Sequence, residues 1–203
     1  MITFMSDILC VTNRKLCCED FLIRLEKIAA CGPRGIILRE KDLPEEDYRR
    51  LAQQTMELCK AHGVPCILHN FVSAAIELGA DAIHLPLPVL RCIAEEEKTH
   101  FTTMGASCHS IADALEAERL GCTYITAGHI FATDCKRGID PRGLQFLRGI
   151  CDAVSVPVYA IGGISVENVA AVRAYGASGA CVMSGAMRCE HVQDYLNQLK
   201  KED

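Results

Sequence analysis

The chain has 203 residues, half of them hydrophobic and 23% charged, enough for one large domain with a sizeable core; a disordered tail, a collagen-like fibre and a disulfide miniprotein are excluded. A net charge of −5 argues against nucleic acid or an anionic membrane surface as the main partner, and with no tryptophan and 5% aromatics there is little to stack on bases or sugars. The length lies near the lower limit for an eight-fold α/β barrel.

Short β-branched runs alternate with longer amphipathic segments. Asp7–Thr12 reads as a strand, followed by a helix from about Glu19 to Ala30 with Phe21, Leu22, Leu25 and Ile28 on one face. Gly35–Arg39 is a second buried strand, and a long helix runs from about Pro44 to His62, where Gly63 stops it. Pro65–His69 is the third strand with a short helix over Phe71–Leu78, and Ala82–Leu85 the fourth with a helix over about Pro88–Glu97. Thr103–Ser107 and Tyr124–Ala127 are strands five and six, with helices over Ser110–Leu120 and Arg142–Ala153. Val156–Ile161 and Ala180–Met183 are strands seven and eight, with helices over Val166–Tyr175 and on to Lys200. Eight β-α units without a linker predict a single α/β domain over residues 1–203, a (β/α)8 TIM barrel. The competitor is an open doubly wound sheet, but Gly162-Gly163 is no dinucleotide-binding fingerprint after a first strand, and the strand runs are short and evenly spaced.

Thirteen cysteines is an odd number, no Cys-x-x-Cys occurs, and Cys10, Cys66, Cys122 and Cys181 sit inside apolar runs. The stretch 1–5 is too short for a signal peptide and Asp7 interrupts it, so free thiols in a reducing cytoplasm are expected. No apolar run approaches the roughly 18 residues of a membrane span. No His, Cys, Asp and Glu spacing makes a metal site, and no cofactor is expected.

A barrel carries its site at the C-terminal ends of the strands. There the chain places Arg39 and Lys41, His69, His84, Ser107, His109, His129, Gly162-Gly163 and Ser184-Gly185, a polar and basic set on an acidic protein, which suggests a small anionic ligand. Gly162, Gly163, Ser184 and Gly185 fall in the two loops that commonly cradle phosphate in this fold; the alternative is that the glycines only make tight turns. Arg39 and Lys41, two apart, can reach the same mouth or belong to a solvated charge run, with Glu40 and Asp42 pointing outward to orient them. His129 opens the longest loop and is the candidate general acid/base, or else a structural hydrogen-bonder. His84 reads as a hydrogen-bonder inside the mouth, His109 as a capping or packing residue, and His69 as either wall or site.

Leu38-Arg39-Glu40-Lys41-Asp42, Gly79-Ala80-Asp81-Ala82-Ile83-His84-Leu85, Gly105-Ala106-Ser107-Cys108-His109-Ser110 and Ala160-Ile161-Gly162-Gly163-Ile164 resemble, in order, the thiamine phosphate synthase superfamily. The resemblance covers essentially the whole chain and implies a barrel that binds a thiazole phosphate through the loops after strands seven and eight. In that family the synthases carry an Asn-Asp pair after strand three and a further Asp after a His-Leu-Gly stretch, which bind Mg²⁺ with pyrophosphate. This chain has His69-Asn70-Phe71 and His84-Leu85-Pro86-Leu87-Pro88 there, so both carboxylates are absent.

The loop Gly128-His129-Ile130-Phe131-Ala132-Thr133-Asp134-Cys135-Lys136 instead resembles the thiazole tautomerase (TenI) branch. The synthases usually have proline where His129 stands, and in tautomerases that histidine is the proposed acid/base. The resemblance implies a metal-free isomerase that aromatises a carboxythiazole phosphate tautomer in thiamine biosynthesis. His129 would move the proton, and Gly162, Gly163, Ser184 and Gly185 would hold the phosphate. Arg39, Lys41 or Ser107 would meet the carboxylate, with Lys136 closing over the site. The partner implied is this small phosphorylated thiazole, with no nucleic acid and no membrane, and a homo-oligomer is compatible with the sequence. The alternatives are thiamine phosphate synthase itself and a non-catalytic thiazole phosphate-binding protein.

Overall fold

A computed structural model of the protein describes residues 7–133, 136 and 138–200. The stretch 1–5 and, within the long loop, Asp134 and Cys135 lie outside the described residues. Eight strands form a closed parallel barrel in sequence order: β1 (Ile8–Val11), β2 (Gly35–Leu38), β3 (Cys66–His69), β4 (Ala82–Pro86), β5 (Thr103–Cys108), β6 (Tyr124–Gly128), β7 (Val158–Ile161) and β8 (Gly179–Val182). Helices α1 (Phe21–Ala30), α2 (Glu45–Ala61) and α3 (Val72–Glu77) follow the first three strands. Two short helices, α4 (Leu87–Leu90) and α5 (Glu95–Lys98), follow β4, and α6 (Ile111–Arg119) follows β5. Around the rest of the ring lie α7 (Gly143–Ala153), α8 (Val169–Ala174), α9 (Ser184–Arg188) and α10 (Val192–Lys200). This is the (β/α)8 barrel predicted from the alternating pattern.

Because strand side chains alternate between faces, each strand supplies two cores. Ile8, Cys10, Ile36, Leu38, Leu68, Ile83, Leu85, Ile125 and Val158 face the helix layer and join its apolar stripes in one cluster. Leu9, Val11, Ile37, Ile67, Ala82, Tyr124, Tyr159 and Cys181 form a separate cluster within the barrel. The stripe of α2 is Tyr48, Ala52, Thr55 and Cys59, at helical spacing. The Tyr48 hydroxyl donates to the Leu38 carbonyl at 2.9 Å and accepts from the His69 amide at 2.8 Å, tying together the ends of β2 and β3. The described cysteines are free thiols, and those in strands act as small apolar side chains; burial pushes Cys10 up to about 12. No helix among the described residues is long and apolar enough to cross a membrane.

Three local expectations are corrected. The buried face of α1 is Arg24, Leu25, Ile28 and Ala29, with Phe21 and Leu22 only half-buried. Arg24 is drawn inward because its guanidinium donates to the Cys189 carbonyl at 2.7 Å and pairs with Glu19 at 2.7 Å. The helix expected over Pro88–Glu97 breaks at residues 91–94, where Ile93 turns into the core and the Ala94 amide, bonded to the Glu97 carboxylate at 2.8 Å, starts α5 afresh. The single helix expected after β8 is likewise two, divided at residues 189–191 where Arg24 holds the Cys189 carbonyl.

The barrel interior holds large rings only because their neighbours are small. Tyr124 and Tyr159 meet edge to face with centroids 5.8 Å apart. A Cβ at Gly105 would lie 2.6 Å from His84 Nδ1 and run into the Tyr124 ring. Gly105→Ala should therefore cost about 1–3 kcal/mol through overpacking. Urea unfolding measures this as a lower midpoint, and an unchanged midpoint would contradict the packing described.

Candidate functional site

At the C-terminal ends of the strands opens a cavity of about 350 Å³, near the lower end of the roughly 300–1,000 Å³ usual for small-molecule sites. The alternation that builds the barrel also builds this wall. The inward series continues past Ile37 to Arg39 and Lys41, and through Ser107 to His109. On the neighbouring strands it runs through Thr126 to Gly128, Ile161 to Gly163, and Cys181 to Met183. Of the residues singled out from sequence, Arg39, Lys41, Ser107, His129, Lys136, Gly162, Gly163 and Ser184 all line the cavity. Gly185 does not. It lies in the first turn of α9 against the Tyr195 phenol, which occupies the space a Cβ would need.

Glu40 was expected to point outward; it is instead 1% exposed. Its carboxylate accepts the Thr12 hydroxyl at 2.7 Å, the Arg14 amide at 3.0 Å and the Arg14 guanidinium at 3.1 Å. Thr12 in turn accepts the Arg39 amide at 2.9 Å, so the buried carboxylate anchors the backbone that presents Arg39. Asp42 pairs with Arg14 at 2.8 Å and Lys15 at 2.7 Å, and these partners hold its carboxyl well below the usual range. Both carboxylates of the segment are thus engaged away from the cavity that Arg39 and Lys41 line. Among the described residues no carboxylate lines it.

The loop after β7 lies directly on the His129 segment. Gly162 and Gly163 have φ of +96° and +68°, left-handed conformations that favour glycine, and a Cβ at Gly162 would lie 2.7 Å from the His129 Cα. The Ile130 amide donates to the Ile161 carbonyl and the Phe131 amide to the Gly162 carbonyl, each at 3.0 Å. The Asn168 side-chain amide donates to the Gly163 carbonyl at 2.8 Å.

Hydrogen-bond direction fixes the chemistry of two histidines. His129, 4% exposed, lies 3.2 Å through Nε2 from the Ile139 carbonyl, which can only accept, so Nε2 carries the proton. When the ring is neutral Nδ1 is then a bare lone pair, and it has no hydrogen-bond partner among the described residues. His109, read from sequence as a cap or packing residue, lines the cavity instead. Its Nδ1 donates to the Gly128 carbonyl at 2.8 Å, so in the neutral ring Nε2 carries the lone pair. Its amide donates to Asp113 at 2.8 Å while Ser110 caps α6 through the Asp113 amide at 3.0 Å, fixing the backbone where β5 hands over to the helix.

His84 bridges Tyr124 and Ser107 at 2.9 Å each, the hydrogen-bonding role expected for it. His69 stacks on it with centroids 6.0 Å apart and is not part of the cavity wall. Burial pushes His84 down to about 3, and burial with Arg39 and Lys41 nearby pushes His69 down to about 4. Partial burial and the neighbouring Arg142 also lower the Lys136 ammonium, a cation at the wall that an incoming anion would stabilise.

These features define a (β/α)8 barrel with a cationic, glycine-rimmed and histidine-bearing mouth. The chain belongs to the thiamine monophosphate synthase (TMP-TENI) family, whose profile matches residues 8–186. It is 32% identical over 189 residues to thiamine-phosphate synthase 2 of Streptococcus pneumoniae, covering 90% of this chain and 88% of that one. It is 34% identical over 169 residues to a putative thiamine-phosphate synthase 2 of Aquifex aeolicus, covering 83% and 91%. The solved thiamine phosphate pyrophosphorylase of Pyrococcus furiosus superposes with a TM-score of 0.82 at 27% identity, over 96% of this chain and 93% of that one.

The two depressed histidines make a stability prediction. Each folded value lies below the ordinary 6.5, so below that pH the unfolded chain binds protons that the folded chain refuses, and stability falls with acidification. Between about pH 6.5 and pH 5 the loss should be on the order of 2 kcal/mol per ring. Urea unfolding at the two pH values measures it, and equal stabilities would contradict the buried, neutral state of both rings.

Proposed function

We propose that the protein is a thiazole tautomerase, a metal-independent isomerase that aromatises a carboxythiazole phosphate tautomer by moving one proton. The observation that carries this reading is a cationic cavity, free of carboxylates among its described residues, with His129 in its wall and the buried Nδ1 of that ring left without a hydrogen-bond partner among them. His129 Nδ1 takes the proton from ring carbon C2, and His109, entering the cycle as the imidazolium, delivers its Nε2 proton to the exocyclic carbon; the proton gained by His129 passes back to His109 through solvent before the next turnover. One C–H bond breaks and one forms, with no net proton change and no oxidant. The gain of aromaticity drives the reaction, so the protein has to position the ring and shuttle the proton.

The amides of Gly162 and Gly163 and the Ser184 hydroxyl suit the phosphate, and Arg39 and Lys41 suit the carboxylate. Lys136, on the loop side, adds a third positive charge for the bound dianion.

A second reading, a synthase joining a pyrimidine to the thiazole phosphate, is favoured by the names of the curated relatives. That reaction in the family calls for Mg²⁺ with pyrophosphate. The residues here do not fit the ion: His69-Asn70-Phe71 and His84-Leu85-Pro86-Leu87-Pro88 stand where the synthases carry carboxylates, imidazoles and cations make poor ligands for a hard cation, and the neutral hydroxyls at the mouth supply no charge for it. Among the described residues no group of three or more His, Cys, Asp and Glu is placed to hold a metal.

His129→Gln and His109→Asn should each slow the appearance of thiazole absorbance by about 10²-fold or more, the usual range for a general acid or base. An unchanged rate in either variant removes that residue from the mechanism. Incubation with pyrimidine pyrophosphate, thiazole phosphate and Mg²⁺ should yield no thiamine phosphate, and turnover there would replace this reading with the synthase.

A further inference from the structure

The side chains of Tyr124, His84 and Ser107 make a line that the proton shift does not use. β4 and β6 are both neighbours of β5, and Gly105 of β5 pairs with His84 on one side and Tyr124 on the other. Because Gly105 has no side chain, His84 and Tyr124 meet across it, with Nδ1 to phenol oxygen 2.9 Å. The other ring nitrogen, Nε2, lies 2.9 Å from Ser107 Oγ, one inward position higher on β5. Ser107 lines the cavity; His84 and Tyr124 are 3% and 6% exposed.

We propose that this line runs in one direction, from the Tyr124 hydroxyl to His84 to Ser107, and so fixes the Ser107 hydroxyl as a donor to the ligand in the cavity, with His84 and Tyr124 as positioning residues. Each hydrogen bond needs one donor, and a neutral imidazole has a single N–H and a single lone pair. Burial keeps both the His84 ring neutral and the Tyr124 phenol protonated near neutral pH. The only partner for the buried phenol proton among the described residues is His84 Nδ1, and a buried donor left unmet is costly. Tyr124 therefore donates to Nδ1, which places the imidazole proton on Nε2, from which it is donated to Ser107 Oγ. With a lone pair of Oγ occupied, the serine's own proton is turned to a further acceptor, and the cavity is where the ligand offers one. The reverse direction would turn Ser107 inward as a donor to Nε2 and strand the phenol proton.

The line is no proton source, because giving up a net proton would leave a buried tyrosinate. Its effect is selective. The Ser107 wall accepts a carboxylate or carbonyl oxygen and disfavours a ligand that presents an N–H or O–H there. The identity of that acceptor as the thiazole carboxylate rests on the tautomerase reading; the direction of the line does not.

Two measurements test this. Nitrogen-15 histidine NMR of the whole protein reads the tautomer directly. From pH 5 to 8 His84 should remain neutral with its proton on Nε2, and Tyr124→Phe should admit the Nδ1–H tautomer. A wild-type ring protonated on Nδ1, or one that titrates in this range, overturns the proposal. Calorimetry with carboxythiazole phosphate then reads the consequence. Tyr124→Phe should weaken binding about tenfold in the wild-type background and leave the Ser107→Ala protein unchanged, since Tyr124 acts only through Ser107. Equal losses in both backgrounds would mean that Tyr124 has a merely structural role, and the line would then be withdrawn. If the wild-type protein does not bind this compound, the tautomerase reading fails while the NMR result still decides the direction of the line.

Discussion

Closure of eight parallel strands into a small barrel allows each strand side chain only two destinations, the helix layer or the interior. The interior must be filled, and here it is filled by shape pairing, as in Tyr124 lying over Gly105. The same alternation that fills the lower interior with Leu9, Ile37, Ile67 and Tyr159 brings the next inward residues to the mouth. Arg39 and Lys41, Ser107 and His109, and Thr126 supply its polar groups, beside the apolar Val11, Ile161 and Met183. The functional wall is thus the upper continuation of the packing pattern, and a one-residue slip of register would turn it into the helix layer.

Charge is sorted by the same geometry. The chain is acidic overall, yet its mouth is cationic because nearby carboxylates are satisfied elsewhere, Glu40 by Thr12 and Arg14, and Asp42 by Arg14 and Lys15. Low effective dielectric in the cavity strengthens the attraction of Arg39, Lys41 and Lys136 for an anion. Backbone carbonyls set the two histidines in complementary tautomers, His129 through Ile139 and His109 through Gly128. On the proposed tautomerase reading, this pair is what lets a proton leave one carbon and return to another within a single bound substrate.

Much of this was legible in the sequence because its signals are local. The β-branched runs, the glycines at helix ends and the polar residues just past each strand specify the barrel and most of the mouth. Non-local choices were not legible. Gly185 has the composition of a phosphate loop, but its missing side chain makes room for Tyr195. Glu40 sits in what reads as a solvated charge run, and only the approach of Thr12 and Arg14 from the β1 loop draws it inward. His109 precedes a serine N-cap and so resembles a capping residue, yet its place two beyond Ser107 on β5 puts its ring on the wall. The Tyr124–His84–Ser107 line depends on the register of three strands around Gly105, although a glycine between inward-facing aromatic positions is a signal that could have been read.

On the proposed reading, one cavity holds a phosphorylated ring with His129 and His109 both at its reacting edge. A crystal structure with carboxythiazole phosphate bound tests it most directly. The expected result is phosphate on the Gly162-Gly163 and Ser184 side, carboxylate toward Arg39, Lys41 and Ser107, and His129 Nδ1 and His109 Nε2 within hydrogen-bond reach of the two carbons that exchange the proton. A ligand seated with its ring away from His129, or with its phosphate on Arg39 and Lys41, would contradict it.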